Sequence, residues 1–236
     1  MHLPITGYGR REVVGISLIS VVLAATALWL WPPASGAVLL LWAGLVAFFR
    51  DPDRECPEAP GLLLSPADGT VRDVEEVEAP PGVWMDEPAV RVGIFMSVFD
   101  VHVNRSPAAG RVRYVHHRRG AFLDARDRRA ATENEHNMLG IELPDGRRIM
   151  VNQVAGRVAR RIVCGVRVGD RLGAGQRFGM VKFGSRLELF VPRRHAYTVM
   201  VAPGQKVKAG RDPLFRPAGE EEEAADPTGE ADQPPR

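Results

Sequence analysis

The feature that most constrains this chain is a long uncharged apolar run near its N-terminus. Residues 13–31 read VVGISLISVVLAATALWLW and contain no ionisable side chain. A helix of this length can cross the hydrocarbon core of a bilayer. A second uncharged run, residues 37–49, follows the stretch PPASG at 32–36, which the proline and glycine content predicts to be a turn. The pattern predicts an N-terminal α-helical membrane hairpin within residues 1–54.

Basic residues lie on both sides of this hairpin. Arg10 and Arg11 precede the first run, and Arg50 and Arg54 follow the second. By the positive-inside rule, both ends face the cytoplasm, so we expect the cell (inner) membrane with the rest of the chain on its cytoplasmic side. A cleaved signal peptide is the alternative, but the apolar run is long for one and WLWPP is a poor cleavage site.

The remainder of the chain has the short alternating runs of a β protein. Candidate strands cover residues 70–78, 89–96, 110–117, 138–143, 147–154, 159–163, 186–191 and 196–201. Loops 168–179 and 203–210 have the glycine spacing of the hairpins in biotinyl and lipoyl carrier domains, although Lys206 lacks the context of a carrier lysine. We therefore predict a mostly β, compact sandwich- or barrel-like body over residues 55–216. The acidic, proline-rich tail, 217–236, is expected to be disordered.

Charge and cysteine content restrict the partners only loosely. The formal net charge is +2, but arginines crowd residues 111–129 and 157–177. Such a surface suits an anionic partner such as a lipid headgroup, a phosphate or nucleic acid, or it is simply a solvated face. Cys56 and Cys164 are far apart, so the sequence predicts neither a disulfide framework nor a metal site.

A Gly-Ser pair, Gly184-Ser185, interrupts the strand-like stretch MVKFGSRLELF. A glycine inside a strand commonly marks only a bulge or bend. The hydrolase pattern G-x-S-x-G does not fit, because a strand rather than a helix follows the serine. Another chemistry suits the pair: the serine hydroxyl attacks the preceding carbonyl, the resulting ester undergoes β-elimination, and the dehydroalanine hydrolyses to a pyruvoyl group and ammonia. Glycine tolerates the distorted backbone that this requires.

A reacting serine needs a base, and the base needs an orienting partner. His102 in MSVFDVHVNRSP and Asp68 in SPADG are candidates for these roles. The aspartate of a Pro-Ala-Asp-Gly turn is usually only a turn residue. The spacing alone leaves four other histidines open as the base: His116, His117, His136 and His195.

Taken in order, six motifs resemble the short bacterial phosphatidylserine decarboxylases over roughly residues 40–215: FFRDPDR, SPADG, FMSVFDVHVNRSP, ENEHN, VNQVAGRVARRIV and GQRFGMVKFGSRLELFVP. The resemblance implies a proenzyme that cuts itself between Gly184 and Ser185 into a β chain (1–184) and an α chain (185–236). The family's Asp-His-Ser triad maps to Asp68, His102 and Ser185. Longer members carry a second histidine near the position of His102, so it is open whether His102 serves both maturation and decarboxylation.

The resemblance further implies a covalent pyruvoyl cofactor derived from Ser185, which forms a Schiff base with the substrate amine and accepts electrons during loss of CO2. The implied reaction converts phosphatidylserine to phosphatidylethanolamine in phospholipid biosynthesis, with His102 as the expected proton donor and no metal. The expected partners are the lipid substrate, the bilayer, the two chains of the cut proenzyme and a second copy in a homodimer, without nucleic acid. Four arginines are candidate ligands of the lipid phosphate, or ordinary surface charge: Arg105, Arg113, Arg160 and Arg161.

Three alternatives to this function stay open in the sequence. The substrate could be another seryl phospholipid of the archaetidylserine type. The body could be a non-catalytic, membrane-bound lipid-binding β module, which would remain one intact chain. A soluble hydrolase would keep Ser185 as a serine.

Overall fold

The computed structural model describes residues 5–57, 59–78, 80, 82–124, 127, 129–156, 161–182 and 184–218. All but the first two residues of the acidic tail therefore lie outside the described residues. The chain begins with a 3-10 turn, Gly7–Gly9, followed by helix α1, Arg10–Leu30, and helix α2, Pro32–Ala47.

One extended residue, Trp31, separates the two helices. The turn predicted over 32–36 is wrong, because these residues form the first helical turn of α2. Proline is favoured at that position, since its fixed φ suits a helix and its missing N–H would have no partner there. The helical segment Gly7–Leu30 is long and apolar enough to cross a membrane and is not buried against the body, whereas α2 is shorter.

The rest of the described chain is almost entirely β. The strands are β1 (Leu63–Leu64), β2 (Gly69–Val77), β3 (Ala89–Met96), β4 (Val103–Arg105), β5 (Gly110–Arg118), β6 (His136–Glu142), β7 (Arg148–Val154), β8 (Ile162–Cys164), β9 (Arg171–Leu172), β10 (Arg177–Val181), β11 (Ser185–Pro192), β12 (Tyr197–Val199), β13 (Lys206–Val207) and β14 (Pro213–Pro217). A short helix, α3 (Ala130–Glu133), precedes β6. The predicted fold class, mostly β with an apolar N-terminal helix, is confirmed.

Three antiparallel sheets make up the body. The largest has eight strands in the order β13-β2-β3-β11-β7-β6-β5-β9 and curls into a half-barrel. The two smaller sheets have the orders β4-β10-β8 and β1-β14-β12. The main core lies on the concave side of this arrangement and includes Ile94, Leu139, Val151, Phe178 and Leu187, all fully buried.

Strand β11 lies in the interior of the large sheet and sends its side chains alternately to two buried faces. Leu187 and Leu189 join the main core. Phe190 faces the other way and packs in a second apolar cluster, which is covered by Trp84 and Met85. Because both faces are covered, every residue of β11 is buried.

Candidate active site

The Gly-Ser pair lies at a junction between two sheets, which corrects its placement inside one strand. β10 ends at Val181 in a three-stranded sheet, and β11 begins at Ser185 in the large sheet. Gly184 lies between them with φ +61°, in the left-handed region that only glycine adopts readily. A Cβ atom at this position would meet nothing within 4 Å, so the backbone conformation rather than crowding favours glycine here.

Ser185 is the first residue of β11, directly opposite Met96 of β3. It is fully buried, and its Oγ has no hydrogen-bond partner among the described residues. A buried hydroxyl without a partner is costly, so such an atom in a native structure calls for an explanation, of which a chemical role is one. The Oγ atom is therefore free of any hydrogen bond that would hold it away from the Gly184 carbonyl.

His102 lies directly before β4 and is fully buried. Its Nδ1 lies 2.9 Å from the carbonyl oxygen of Asp100, which can only accept, so Nδ1 carries the proton. The Nε2 atom is then the unprotonated nitrogen of the neutral ring, and it has no partner among the described atoms. Burial lowers the pKa of His102 to about 4, so the ring is neutral at physiological pH and can accept a proton through Nε2.

The fold places His102 and Ser185 on either side of the sheet junction. The backbone N–H of Val181 donates to the carbonyl of His102 at 3.4 Å, just before the Gly-Ser pair. On the other side, Asn104 of β4 lies against Met96, with its Nδ2 3.8 Å from the Met96 sulfur, and Met96 pairs with Ser185. The two unpartnered polar atoms therefore belong to one buried region around the predicted cut.

Asp68 is held by a different partner from the one predicted. Arg54 binds it through two hydrogen bonds of 2.5 and 2.7 Å, and the Ala209 N–H donates to it at 2.9 Å. The backbone of Asp100, rather than Asp68, orients the His102 ring. The Asp68 charge still acts on His102 from a distance, where it partly opposes the lowering of the His102 pKa by burial. Its catalytic role stays a prediction.

The remaining histidines differ from His102 in place or exposure. His117 is exposed and contacts Glu135, and His116 is also exposed. His195 accepts a hydrogen bond from the backbone of β7. His136 is buried, and its Nε2 has no partner among the described residues. His136 and Arg186 both pair with Val154 of β7, so their side chains lie on the same face of the sheet. Ser185 faces the opposite side, because neighbouring residues of a strand point to opposite faces.

Of the four arginines predicted to bind phosphate, the three that the structure describes each contact a different acidic side chain. Arg105 is buried, and its guanidinium already donates to Asp51 and to the carbonyls of Pro52 and Gly175. Arg113 is half-exposed and bound to Glu142. Arg161 is exposed and lies 3.6 Å from Glu12 of α1. Arg160 lies outside the described residues.

Three neighbours of the candidate site were not predicted. Phe48, at the end of α2, packs its ring 4.3 Å from the ring of His102. Lys182 binds Glu12 of α1 at 2.5 Å, three residues before Ser185. Arg186, directly after Ser185, binds Asp73 through two hydrogen bonds. The only sequence signal for them is their position in FFRDPDR and KFGSR, which does not reveal their partners.

The site suits a cofactor made from the chain itself. The buried, unpartnered Oγ of Ser185 next to a glycine with positive φ fits the residue from which a pyruvoyl group would form. No group of three or more His, Cys, Asp or Glu side chains among the described residues could hold a metal ion.

Comparison with known proteins agrees with this geometry. The family model described as phosphatidylserine decarboxylase matches residues 42–214. A phosphatidylserine decarboxylase proenzyme from Rhodopirellula baltica is 43% identical over 210 residues, which cover 88% of this chain and 86% of the relative. The matched region includes both sides of the sheet junction and all four residues Asp68, His102, Gly184 and Ser185. The chain belongs to the phosphatidylserine decarboxylase family.

Proposed function

We propose that this chain is a self-cleaving proenzyme that matures into a pyruvoyl-dependent phosphatidylserine decarboxylase. One observation carries the proposal: the Ser185 Oγ and the His102 Nε2 are both buried without a hydrogen-bond partner among the described residues, Ser185 directly follows Gly184, whose φ is +61°, and the carbonyl of His102 is bonded to Val181 just before it. The mature protein consists of chains 1–184 and 185–236 and catalyses conversion of phosphatidylserine to phosphatidylethanolamine and CO2.

Maturation begins when the neutral His102 Nε2 accepts the Ser185 hydroxyl proton. The Ser185 Oγ attacks the Gly184 carbonyl carbon, a C–O bond forms and the C–N bond of the peptide breaks, which gives an ester and a free amine. Loss of the Ser185 Cα proton then breaks the Cβ–O bond and releases the Gly184 carboxylate. Water hydrolyses the remaining dehydroalanine, ammonia leaves, and the α chain begins with a pyruvoyl group.

The pyruvoyl carbonyl supplies an electron sink for loss of CO2 from the substrate serine. The chain's own residues position the reaction, because β11 holds the first residue of the α chain in the large sheet. His102 has to donate a proton to the substrate carbon in this step, although burial favours its neutral form. An entering anionic headgroup would raise the pKa of His102 and so favour the protonated ring.

The apolar hairpin supports a location of this site at the bilayer surface. Phe48 and Phe49 at the end of α2 pack with Met180 of β10, and Phe48 also lies on His102. The acyl chains of the substrate can therefore stay in the bilayer while its headgroup reaches His102. The flanking Arg10 and Arg11 favour a cytoplasmic location for the body at the cell (inner) membrane.

The test is the intact mass of the full-length protein purified in detergent. We expect two chains, with an α chain lighter by one ammonia than a fragment that begins with serine. Ser185→Ala should leave one uncut chain of 236 residues. Ser106→Ala is the matched control, since Ser106 is also buried but its Oγ already donates to the Ala108 carbonyl.

Each outcome decides between the alternatives. An uncut wild-type chain would contradict the proposal and favour a lipid-binding module, or a hydrolase if Ser185 also reacts with acyl-trapping reagents. A serine-terminated α chain would refute the pyruvoyl step. Incubation of the mature protein with phosphatidylserine or archaetidylserine, followed by analysis of the lipid products, distinguishes the two substrate classes.

A further inference from the structure

The turn between β3 and β4 is held together by hydrogen bonds between its own residues. This segment, residues 97–102, reads SVFDVH, and we call it the β3–β4 turn. The Asp100 carboxylate accepts hydrogen bonds from the N–H and hydroxyl of Ser97 at 2.8 and 2.7 Å, and the Asp100 N–H donates to the Ser97 carbonyl at 3.0 Å. The tip of the turn therefore has a defined orientation.

The tip exposes two adjacent apolar side chains. Phe99 is 83% exposed and Val98 is 49% exposed. A single exposed apolar residue needs no explanation, but a phenyl ring at the tip of a braced turn leaves a large apolar area in water. Neighbouring apolar surface would make such a tip part of a larger interaction site.

The apolar helices supply that surface. Arg50, three residues after the end of α2, donates one hydrogen bond to the Phe99 carbonyl and another to the Ala47 carbonyl at 3.1 Å. One guanidinium thus ties the tip of the turn to the last residue of α2. The turn therefore lies at the end of α2, where the apolar hairpin meets the body, and α1 and α2 also expose apolar side chains such as Leu18 and Leu40.

The other end of the same turn carries the candidate base. The carbonyl of Asp100 accepts the hydrogen bond that orients His102, and Asp100 directly follows Phe99, the most exposed apolar residue of the turn. The turn therefore carries an exposed apolar residue, Phe99, only three residues before the buried imidazole of His102. A surface that contacts Phe99 is therefore separated from His102 by only Asp100 and Val101 of the same turn.

We propose that the β3–β4 turn is a bilayer-contacting element, in which Phe99 and Val98 insert into the interfacial layer of a phospholipid membrane beside the hairpin. The contact sets the depth of the body so that the headgroups of the bilayer face His102. This inference rests on the proposed function, because it gives the turn a role in presenting a membrane-borne substrate. It adds a membrane contact from the β body to the one that the hairpin makes.

The first test locates the turn in a membrane. The full chain is prepared with Cys56→Ser and Cys164→Ser, given Phe99→Cys, labelled with an environment-sensitive fluorophore and reconstituted into phosphatidylcholine–phosphatidylserine nanodiscs. Val83→Cys is the matched control, because Val83 is 86% exposed but lies in the segment that covers the opposite face of the large sheet. We expect spin-labelled lipid to quench the probe at 99 and aqueous iodide to quench the probe at 83.

The second test measures the consequence for turnover. For each variant, kcat/KM on nanodisc phosphatidylserine is divided by kcat/KM on short-chain, monomeric phosphatidylserine. Phe99→Ser should lower this ratio roughly tenfold, as a loss of about 1.4 kcal/mol of interfacial binding would. Val83→Ser should leave the ratio unchanged.

Failure of the inference is distinguishable from failure of the proposed function. If wild-type protein is uncut and inactive on the short-chain lipid, the proposed function is wrong. If it is cut and active but iodide quenches the probe at 99, or the Phe99→Ser ratio equals that of wild type, the bilayer contact is wrong. Protection of the probe at 99 from both quenchers would indicate a protein contact, such as a second copy of the chain, and would also overturn it.

Discussion

The two sides of the Gly184–Ser185 bond are built differently. On the N-terminal side, β10 belongs to a three-stranded sheet, and the chain leaves it at Val181 before reaching Gly184. On the C-terminal side, all eight residues of β11 pair with β3, and five of them also pair with β7. The bond that we propose to break therefore joins an irregular segment to the interior of a regular sheet.

Buried charges reinforce the C-terminal side. Arg186 is 2% exposed and donates to both carboxylate oxygens of Asp73, at 2.8 and 2.6 Å, and to Glu188 at 2.8 Å. Gly93 makes room for this guanidinium, since a Cβ atom there would overlap it. Arg186, the second residue after the proposed cut, is thus fixed by its side chain as well as by its backbone.

This difference suits a protein that makes its reactive group from a new chain end. A terminus usually frays unless it is tied down. Here the new terminus, Ser185, would pair with Met96 of β3, and pairing on both sides begins one residue later at Arg186. Gly184 itself belongs to no strand. Gly184, whose backbone has the positive φ that we connect with cleavage, lies on one side of the bond. The paired strand β11, which would hold the reactive group during catalysis, lies on the other.

The largest expected effect comes from removing the buried cation on the rigid side. Arg186→Met leaves the buried Glu188 and the partly exposed Asp73 without their main partner, and breaking a buried pair typically costs about 3–5 kcal/mol. Arg91 also contacts both carboxylates, so we expect the lower end of this range. The free energy of unfolding in detergent, measured by denaturant titration of the Ser185→Ala background, checks this expectation.

The matched control for Arg186 is Arg193→Met. Arg193 is half-exposed and binds Glu76 at the surface, where an ion pair contributes less than about 1 kcal/mol. If the two variants lose equal stability, the buried charges do not fix the C-terminal side.

The next effect is a dependence of stability on pH. The pKa of His102 is about 4 in the folded chain because the ring is buried, against an unfolded value of 6.5. The unfolded state therefore binds more protons between these two values, and stability falls as the pH is lowered from 6.5 to 4, by on the order of 3 kcal/mol. Unfolding of the uncut Ser185→Ala protein across this window measures the slope.

The same shift predicts the pH profile of self-cleavage. Because the ring stays neutral until the pH approaches 4, the rate should remain level from pH 8 to about 5. His102→Gln should remove cleavage and flatten the stability slope, whereas His136→Gln, at a buried histidine on the other face, should not stop cleavage. If the cleavage rate instead falls as the pH is lowered, with a midpoint near pH 6.5, the base is not a buried His102 with a lowered pKa.

Local patterns in the sequence were enough to predict the regular part of the fold. The predicted strand 89–96 matches β3, and the predicted strand 147–154 differs from β7 by one residue. Residues 89–96 form a short, mostly apolar run, and residues 147–154 follow the turn residues Pro144-Asp-Gly146, so neighbouring residues are enough to predict both strands. The same local reasoning identified Gly184 and Ser185, because a glycine inside a strand-like run is visible in a single sequence.

The partners of the site residues could not be predicted, because they come from distant parts of the chain. The binding of Asp68 by Arg54 and of Arg186 by Asp73 depends on strand pairing and register. The stretch MVKFGSRLELF has one continuous alternation, so nothing in it shows that its two halves join different sheets. The contact of Phe48 with His102 likewise requires the hairpin to be docked on the body.

The smallest expected effect concerns the irregular side of the bond. Gly184→Ala places a side chain at φ +61°, which costs roughly 1 kcal/mol, and shifts the residue toward negative φ. Fewer molecules then hold the carbonyl in the conformation that Ser185 attacks, so cleavage should slow by about five- to tenfold. Gly146→Ala is the matched control, because Gly146 has φ +84° and equally open space but lies in the β6–β7 hairpin. Both variants should lose similar stability, and only Gly184→Ala should slow the appearance of the two chains on a denaturing gel. Equal cleavage rates would mean that the positive φ of Gly184 has no part in the reaction.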